Sequence, residues 1–342
     1  MSNREISGEQ YRFDIGLMNN DTAYVPGFCV LGVFVLFSIL ELRFFWRQWP
    51  LALLRHSYTT NISLFLFNNL ILPLLSVSTL LVWAEGYSDS SLLDGLSPLT
   101  QAVLSFLLFD LTLYLWHWAS HKFPWFWQFH RIHHSDLTVN VSTAFRVHVL
   151  DHLTMMSFKL AYVIGFGIDK ETLIWNETLT ALSSMFHHSN LTFNGERLLG
   201  YLIIVPYLHR LHHSTQRYEH DSNYGSVLSI WDRLFGNLNE SQPEALGIRE
   251  SCPNDLFGLV VSGFWRVTSK SVNVVNPSEL ESMIAVAAYY KAEKRNFLPG
   301  NDIKDWLEAK QEIIKQVYGK KNQDSSKKSG RHTAYPKRQV CC

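Results

Sequence analysis

The chain has 342 residues, enough for one large domain or two ordinary ones, and its 30 basic residues balance its 30 acidic ones. Zero net charge gives no footing for a nucleic-acid partner. The four cysteines, Cys29, Cys252, Cys341 and Cys342, form no C-x-x-C pair and no spaced framework, so neither a disulfide scaffold nor a thiolate zinc site is implied.

Residues 1–21 read as an acidic leader with no small-residue cleavage site, so not as a signal peptide. Residues 22–40 and 57–84 carry no charge, and each run is long enough to cross a hydrocarbon core of roughly 30 Å as a helix. A third span, 96–116, is interrupted only by Asp110. Arg43, Arg47 and Arg55 lie between the first two runs, whereas the next loop holds Glu85, Asp89 and Asp94 with no lysine or arginine. The positive-inside rule then places the first loop in the cytoplasm and returns the third span to that side.

Residues 153–168 and 172–186 are shorter at 1.5 Å per residue and contain Lys159 and Glu177, which predicts a helical hairpin that dips into the bilayer and returns. Asn301 or Asp302 can cap a helix running through Trp306 and Ile313 to near Gly319. Residues 320–342 are polar and basic and read as a disordered tail. The organisation expected is a leader (1–21), membrane anchor helices (22–95), a histidine-rich domain (96–240), a soluble helical segment (241–319) and the tail.

Thirteen of the 15 histidines fall between positions 117 and 220. They gather as WHWASH (116–121), HRIHH (130–134), FHHSN (186–190) and HRLHH (209–213). Residues three or four apart on a helix share a face. His117 with His121, His130 with His133 and His134, and His209 with His212 and His213 are therefore each expected to give two or three nitrogens to one centre. The boxes supply eight imidazoles, too many for one metal and suited to two, with His148 and His188 as candidates to complete the shells. Imidazole suits zinc, copper, iron and nickel. Iron is the metal expected, and the spacing alone leaves zinc open.

Asp110, Tyr114, His117 and His121 form one helical stripe, so Asp110 is expected to accept the far N–H of a ligand histidine with Tyr114 beside it. Pro124 should break the helix between the first two boxes. The aromatic residues Trp116, Trp118, Trp125, Phe126, Trp127 and Phe129 should collect at headgroup level. His187 and His188 point about 100° apart on a helix, so one centre does not use both. His187 and His220 are further metal candidates, His152 reads as a satisfied polar residue, and His56 and His332 as solvent-facing.

These boxes, with PYLHRLHHS (206–214) and DSNYGSVLSIWDRLFGN (221–237), resemble the fatty acid hydroxylase and sterol desaturase superfamily of membrane di-iron oxygenases. The resemblance covers roughly residues 100–240. It implies an all-α, multi-pass membrane bundle whose cytoplasmic-side helical cap holds a dinuclear metal site. The implied ligands are His117, His121, His130, His133, His134, His188, His209, His212 and His213, with no catalytic residue beyond the metal centre.

The implied reaction is O2-dependent hydroxylation or desaturation of a lipid C–H bond in a dry apolar pocket, using two irons. There are departures from the family's pattern. RVHVLD (146–151) keeps Arg146 and His148 of R-x-H-P-x-E but has Val149 and Asp151 in the last two places, and the final motif ends in Asn237 where threonine is common. No G-x-G-x-x-G nucleotide fingerprint follows a strand, so electrons should come from a separate cytochrome- or ferredoxin-type donor. A divalent-metal transporter and a non-catalytic metal-binding membrane protein are the rival readings.

Overall fold

A computed structural model describes residues 25–74, 91–248, 252–264 and 277–318, and the leader and the tail lie outside them. Every regular element among these residues is helical, and pairings such as Ile203 with Leu228 are isolated bridges. The chain divides into two compact units, residues 1–269 and 270–342.

The first unit opens with α1 (Val25–Arg43) and α2 (Leu51–Leu74). Residues 57–74 of the second apolar run lie in α2, and 75–84 lie outside the described residues. α2 turns polar residues inward: Ser57 and Asn61 donate to the Asp136 carboxylate at 2.7 and 2.9 Å. Asn61 also accepts from Arg146 at 3.0 Å. This helix is a polar brace for the loop 135–146 as much as an apolar rod.

α3 (Pro98–Lys122) starts at Ser97, whose hydroxyl accepts from the Thr100 N–H, and ends where Pro124 opens α4 (Pro124–His130). Proline lacks an N–H and clashes with the preceding turn, so the predicted break falls where expected. α5 (Val149–Phe166) and α6 (Lys170–His188) meet at a short turn in which Gly167 adopts a left-handed φ of 65° and Asp169 caps α6. Phe109 and Leu113 of α3 pack on Tyr162, Val163 and Leu173 of this hairpin.

Three described helices, α1, α3 and α5, are long and apolar enough to cross a membrane. This corrects the reading of 153–168 as too short. His148 caps α5 through its Nδ1, which accepts from the Leu150 N–H, so the helix starts at Val149 and reaches about 27 Å. α7 (Pro206–His212) follows, and α8 (Leu256–Ser262) packs Leu259 against Leu64 and Ile132. Residues 252–264, grouped by composition with the C-terminal segment, thus contribute to the core beside the second box.

The second unit is a hairpin of α9 (Pro277–Lys294) and α10 (Asp302–Tyr318). Lys291 pairs with Glu312 at 2.8 Å, and Arg295 pairs with Asp305. The Asp305 N–H donates to the Asn301 carbonyl, which starts α10 where the sequence predicts.

Candidate metal centre

Two groups of buried histidines form around the end of α3. The first holds His117, His121, His130, His134 and His212, and the second His133, His188, His209 and His213. Within each group one ring nitrogen per residue lies within 4.8 Å of the others. All nine sequence-predicted ligands are therefore gathered, but the division differs from the expected one.

Each H-x-x-H-H box straddles both groups. His130 and His134 join the first while His133 joins the second; His212 joins the first while His209 and His213 join the second. The cause is local. α4 stops at His130, and the box continues through a turn into a 3₁₀ segment, His133–Ser135, so its histidines do not share one helical face. In HRLHH, His213 lies just past the end of α7 at φ −90° and ψ 15°. The two groups adjoin: the His134 and His213 rings stack with centroids 4.5 Å apart.

The far ring nitrogens are mostly committed. His117 Nδ1 lies 2.8 Å from the Tyr224 carbonyl and His212 Nδ1 2.6 Å from the Ser222 carbonyl. His188 Nδ1 meets the Ser184 carbonyl at 2.7 Å, and His133 Nδ1 the Arg146 carbonyl at 3.3 Å. A carbonyl only accepts, so each of these Nδ1 atoms carries the proton and each Nε2 presents a bare lone pair.

Those lone pairs face one another, His117 to His212 at 2.9 Å and His133 to His188 at 3.0 Å. Two acceptors cannot hydrogen-bond to each other, so the arrangement is that of donors converging on a cation. Outer acceptors that fix the tautomer are what metal-bound histidines use. The residues present fit metal ions on this ground, and an all-imidazole set suits iron, zinc, copper or nickel.

Burial adds to the fit. It lowers the His130 pKa from 6.5 to about 3, with the neighbouring His220 lowering it further. It likewise holds His133, His134, His209, His212 and His213 well below the ordinary value, again with other imidazoles as the next cause. Neutral imidazole is the form that binds metal.

The remaining candidates separate. His148 is not brought to the centre: its Nδ1 caps α5 and its Nε2 lies 3.0 Å from the Val260 carbonyl. His187 is in neither group, although its ring centroid lies 4.0 Å from that of His209 in the second. His220 sits at the rim with His121 and Asp221, stacked on Trp127 at 5.1 Å, and donates from Nδ1 to the Ser214 carbonyl.

Asp110 does not meet a histidine. Its carboxylate accepts from the Val227 and Leu228 N–H groups and from Trp231 Nε1, at 2.9 to 3.0 Å. Seven residues separate it from His117, about 10 Å along α3, too far for a ring nitrogen. It fixes the loop that carries the Tyr224 and Ser222 carbonyls, and Asp232 does the same by accepting from the Tyr224 and Gly225 N–H groups at 2.8 Å. Tyr114 likewise bonds no histidine: its hydroxyl accepts from the Asn237 amide at 2.7 Å, which gives a partner to the residue standing where threonine is common.

Sequence reasoning missed Asp151 as a site residue. Its carboxylate accepts from His130 Nδ1 at 3.0 Å. The departure at the end of RVHVLD marked the position without showing its partner. It also missed Ser222, Tyr224 and Ser184, because a carbonyl acceptor leaves no trace in residue type.

A cavity of about 350 Å³ reaches this centre between α2, α3, α5 and α6, with His117, His130, His133 and His188 at one end. Phe65, Leu113, Trp116 and Met155 line it, but so do Asn68, Thr180, Lys159 and Glu177. The wall is mainly apolar, in line with expectation, and these polar side chains interrupt it.

The family model described as fatty acid hydroxylase matches residues 102–237, and a protein family of unknown function (DUF2934) matches residues 279–314. An ornithine lipid hydroxylase of Rhizobium tropici is 29% identical over 199 residues, 57% of this chain and 60% of the relative. A human alkylglycerol monooxygenase is 34% identical over 136 residues, 39% of this chain and 29% of the relative. A human cholesterol 25-hydroxylase is 28% identical over 186 residues, 49% and 62% respectively. The chain thus spans between about a third and three fifths of these relatives. No solved structure matches it significantly.

Proposed function

We propose, from the membership of residues 102–237 in the fatty acid hydroxylase family, that this protein is a membrane lipid hydroxylase working with two iron ions, one at each histidine group. The reaction is RH + O2 + 2 e⁻ + 2 H⁺ → ROH + H2O, with the electrons coming from a separate cytochrome- or ferredoxin-type donor. The relatives' printed activities are hydroxylations and monooxygenations of lipids, which favours hydroxylation over desaturation. The histidine groups lie on the cytoplasmic side, in keeping with Arg43 at the end of α1, Arg47 in the loop after it and Arg55 near the start of α2.

Bound iron would supply O2 activation and the oxidising power for an unactivated C–H bond. The chain's own residues do the rest. Tyr224, Ser222, Ser184 and Arg146 hold the Nδ1 protons with their carbonyls, and Asp151 does so with its carboxylate. The Nε2 lone pairs are thereby preorganised, so little reorganisation is left for the reaction itself. The cavity seats a lipid carbon beside His130, His133 and His188, and Phe65, Leu113 and Trp116 exclude water from its flank.

The observation that carries the reading is the facing Nε2 pair of His117 and His212, each ring tied at Nδ1 to a backbone carbonyl. The test is expression of the full chain in a lipid-producing host with mass spectrometry of its lipids. A gain of one oxygen on one lipid class, abolished by His212→Ala, supports the assignment. Metal flux into vesicles without oxygen consumption would replace it with transport.

A further inference from the structure

Away from the histidines, the wall of the same cavity carries an ion pair. Lys159 of α5 donates to both Glu177 carboxylate oxygens, at 2.7 and 2.6 Å, and its ammonium lies 5.6 Å from the Phe109 ring centroid. The two helices are already joined near their turn by neutral groups, since Asn176 donates to the Tyr162 hydroxyl at 3.1 Å and to Ser105 at 2.9 Å. A second tie made of charges adds little to stability, because exchanging such a pair for apolar residues of similar size is often neutral or favourable. An ionisable side chain such as Lys159 in an apolar helix long enough to span a membrane is instead a mark of function.

Three residues that line this cavity also carry a buried polar atom without a hydrogen-bond partner: Asn68 Oδ1, Thr180 Oγ1 and Asp151 Oδ1. Buried polar atoms ordinarily find partners, so a wall with several unpaired ones is shaped for a ligand that brings its own. Glu177 presents itself to such a ligand, its side chain 36% exposed.

Resting on the lipid-hydroxylase reading, we propose that the Lys159–Glu177 pair recognises a polar group of the substrate that both donates and accepts hydrogen bonds, and so fixes which carbon reaches the histidines. The ammonium takes the acceptor and the carboxylate takes the donor. Lys159 stands eight residues from Asp151 on α5, and Glu177 eleven from His188 on α6, so polar group and oxidised carbon lie roughly 12 to 16 Å apart. A sterol hydroxyl and a zwitterionic lipid headgroup share this chemistry.

The test uses the full chain in nanodiscs and the double variant Lys159→Met/Glu177→Leu, whose apolar pair preserves packing; its thermal unfolding is measured alongside. Probes are cholesterol, an ornithine lipid and an alkylglycerol, each against a counterpart with its hydroxyls methylated or its amine and carboxylate capped. The expected result is that at least one free lipid binds the parent about tenfold or more tightly than its capped counterpart, and that the folded double variant loses this preference. The probe that shows the preference identifies the source.

No preference in the parent, or a preference kept by the variant, overturns the proposal. Turnover of the same probes is scored separately. Preference without oxidised product in the iron-loaded parent counts against the hydroxylase reading and leaves the recognition site standing. Product with an unchanged preference in the variant defeats the recognition site alone.

Discussion

Asp151 accepts the Nδ1 proton of His130 across 3.0 Å, with one carboxylate oxygen on the ring and the other buried without a hydrogen-bond partner. Removing the acceptor frees the imidazole to rotate and to exchange tautomers. Asp151→Ala is expected to weaken metal binding at the first histidine group by about 10- to 100-fold. Asp151→Asn keeps an acceptor oxygen and should lose less. Metal titration of the two purified variants measures both effects.

Acid should empty the site. The His130 pKa lies at about 3 in the fold against 6.5 for the free residue, so between these values the unfolded chain binds the proton and the folded chain does not. A depressed pKa gives stability that is complete above about 6.5 and is lost as pH falls through the folded value. Protons also compete with metal for the same nitrogens. Metal retention and melting temperature are expected to be flat above pH 7 and to fall together from about pH 6.5 downward; a profile flat to pH 4 would contradict this.

Asp110 acts through the loop and not through a histidine. Its carboxylate receives two backbone N–H groups and the Trp231 indole, so Asp110→Ala leaves buried donors unpaired at about 1–3 kcal/mol each. The expected signature is a clear drop in melting temperature, accompanied by metal loss as the Tyr224 and Ser222 carbonyls shift. Circular dichroism melts beside metal analysis distinguish this from His117→Ala, which should lose metal with a smaller change in melting temperature.

Gly225 tests the same loop from its backbone. A Cβ there would lie 2.6 Å from the Leu228 carbonyl oxygen and 2.8 Å from Ile204. Backbone cannot yield as a flexible side chain does. Gly225→Ala is expected to cost about 1–3 kcal/mol and to lower metal occupancy, read by the same melts.

The parts of the site that could be read from the chain were those encoded in short-range spacing. Histidines three and four apart marked the candidate metal centre, and Pro124 announced the break that lets the first two boxes converge. What stayed hidden depends on contacts far apart in sequence or on where a helix ends. The sharing of each H-x-x-H-H box between two groups follows from α4 stopping at His130. The partners of Asp110 lie 117 to 121 residues away, and His148 proved to be a helix cap because α5 begins one residue after it. Lys159 and Glu177 looked like flaws in two weak spans until the hairpin set them opposite one another in a cavity wall.

A metal count tests the paired histidine groups most directly. The full chain, purified from cells supplied with iron and analysed by inductively coupled plasma mass spectrometry, should hold about two transition-metal ions. His212→Ala should remove about one of them from the first group and His188→Ala about one from the second. A chain that carries no metal yet oxidises lipid at the parent rate, or variants whose metal content matches the parent, would contradict it.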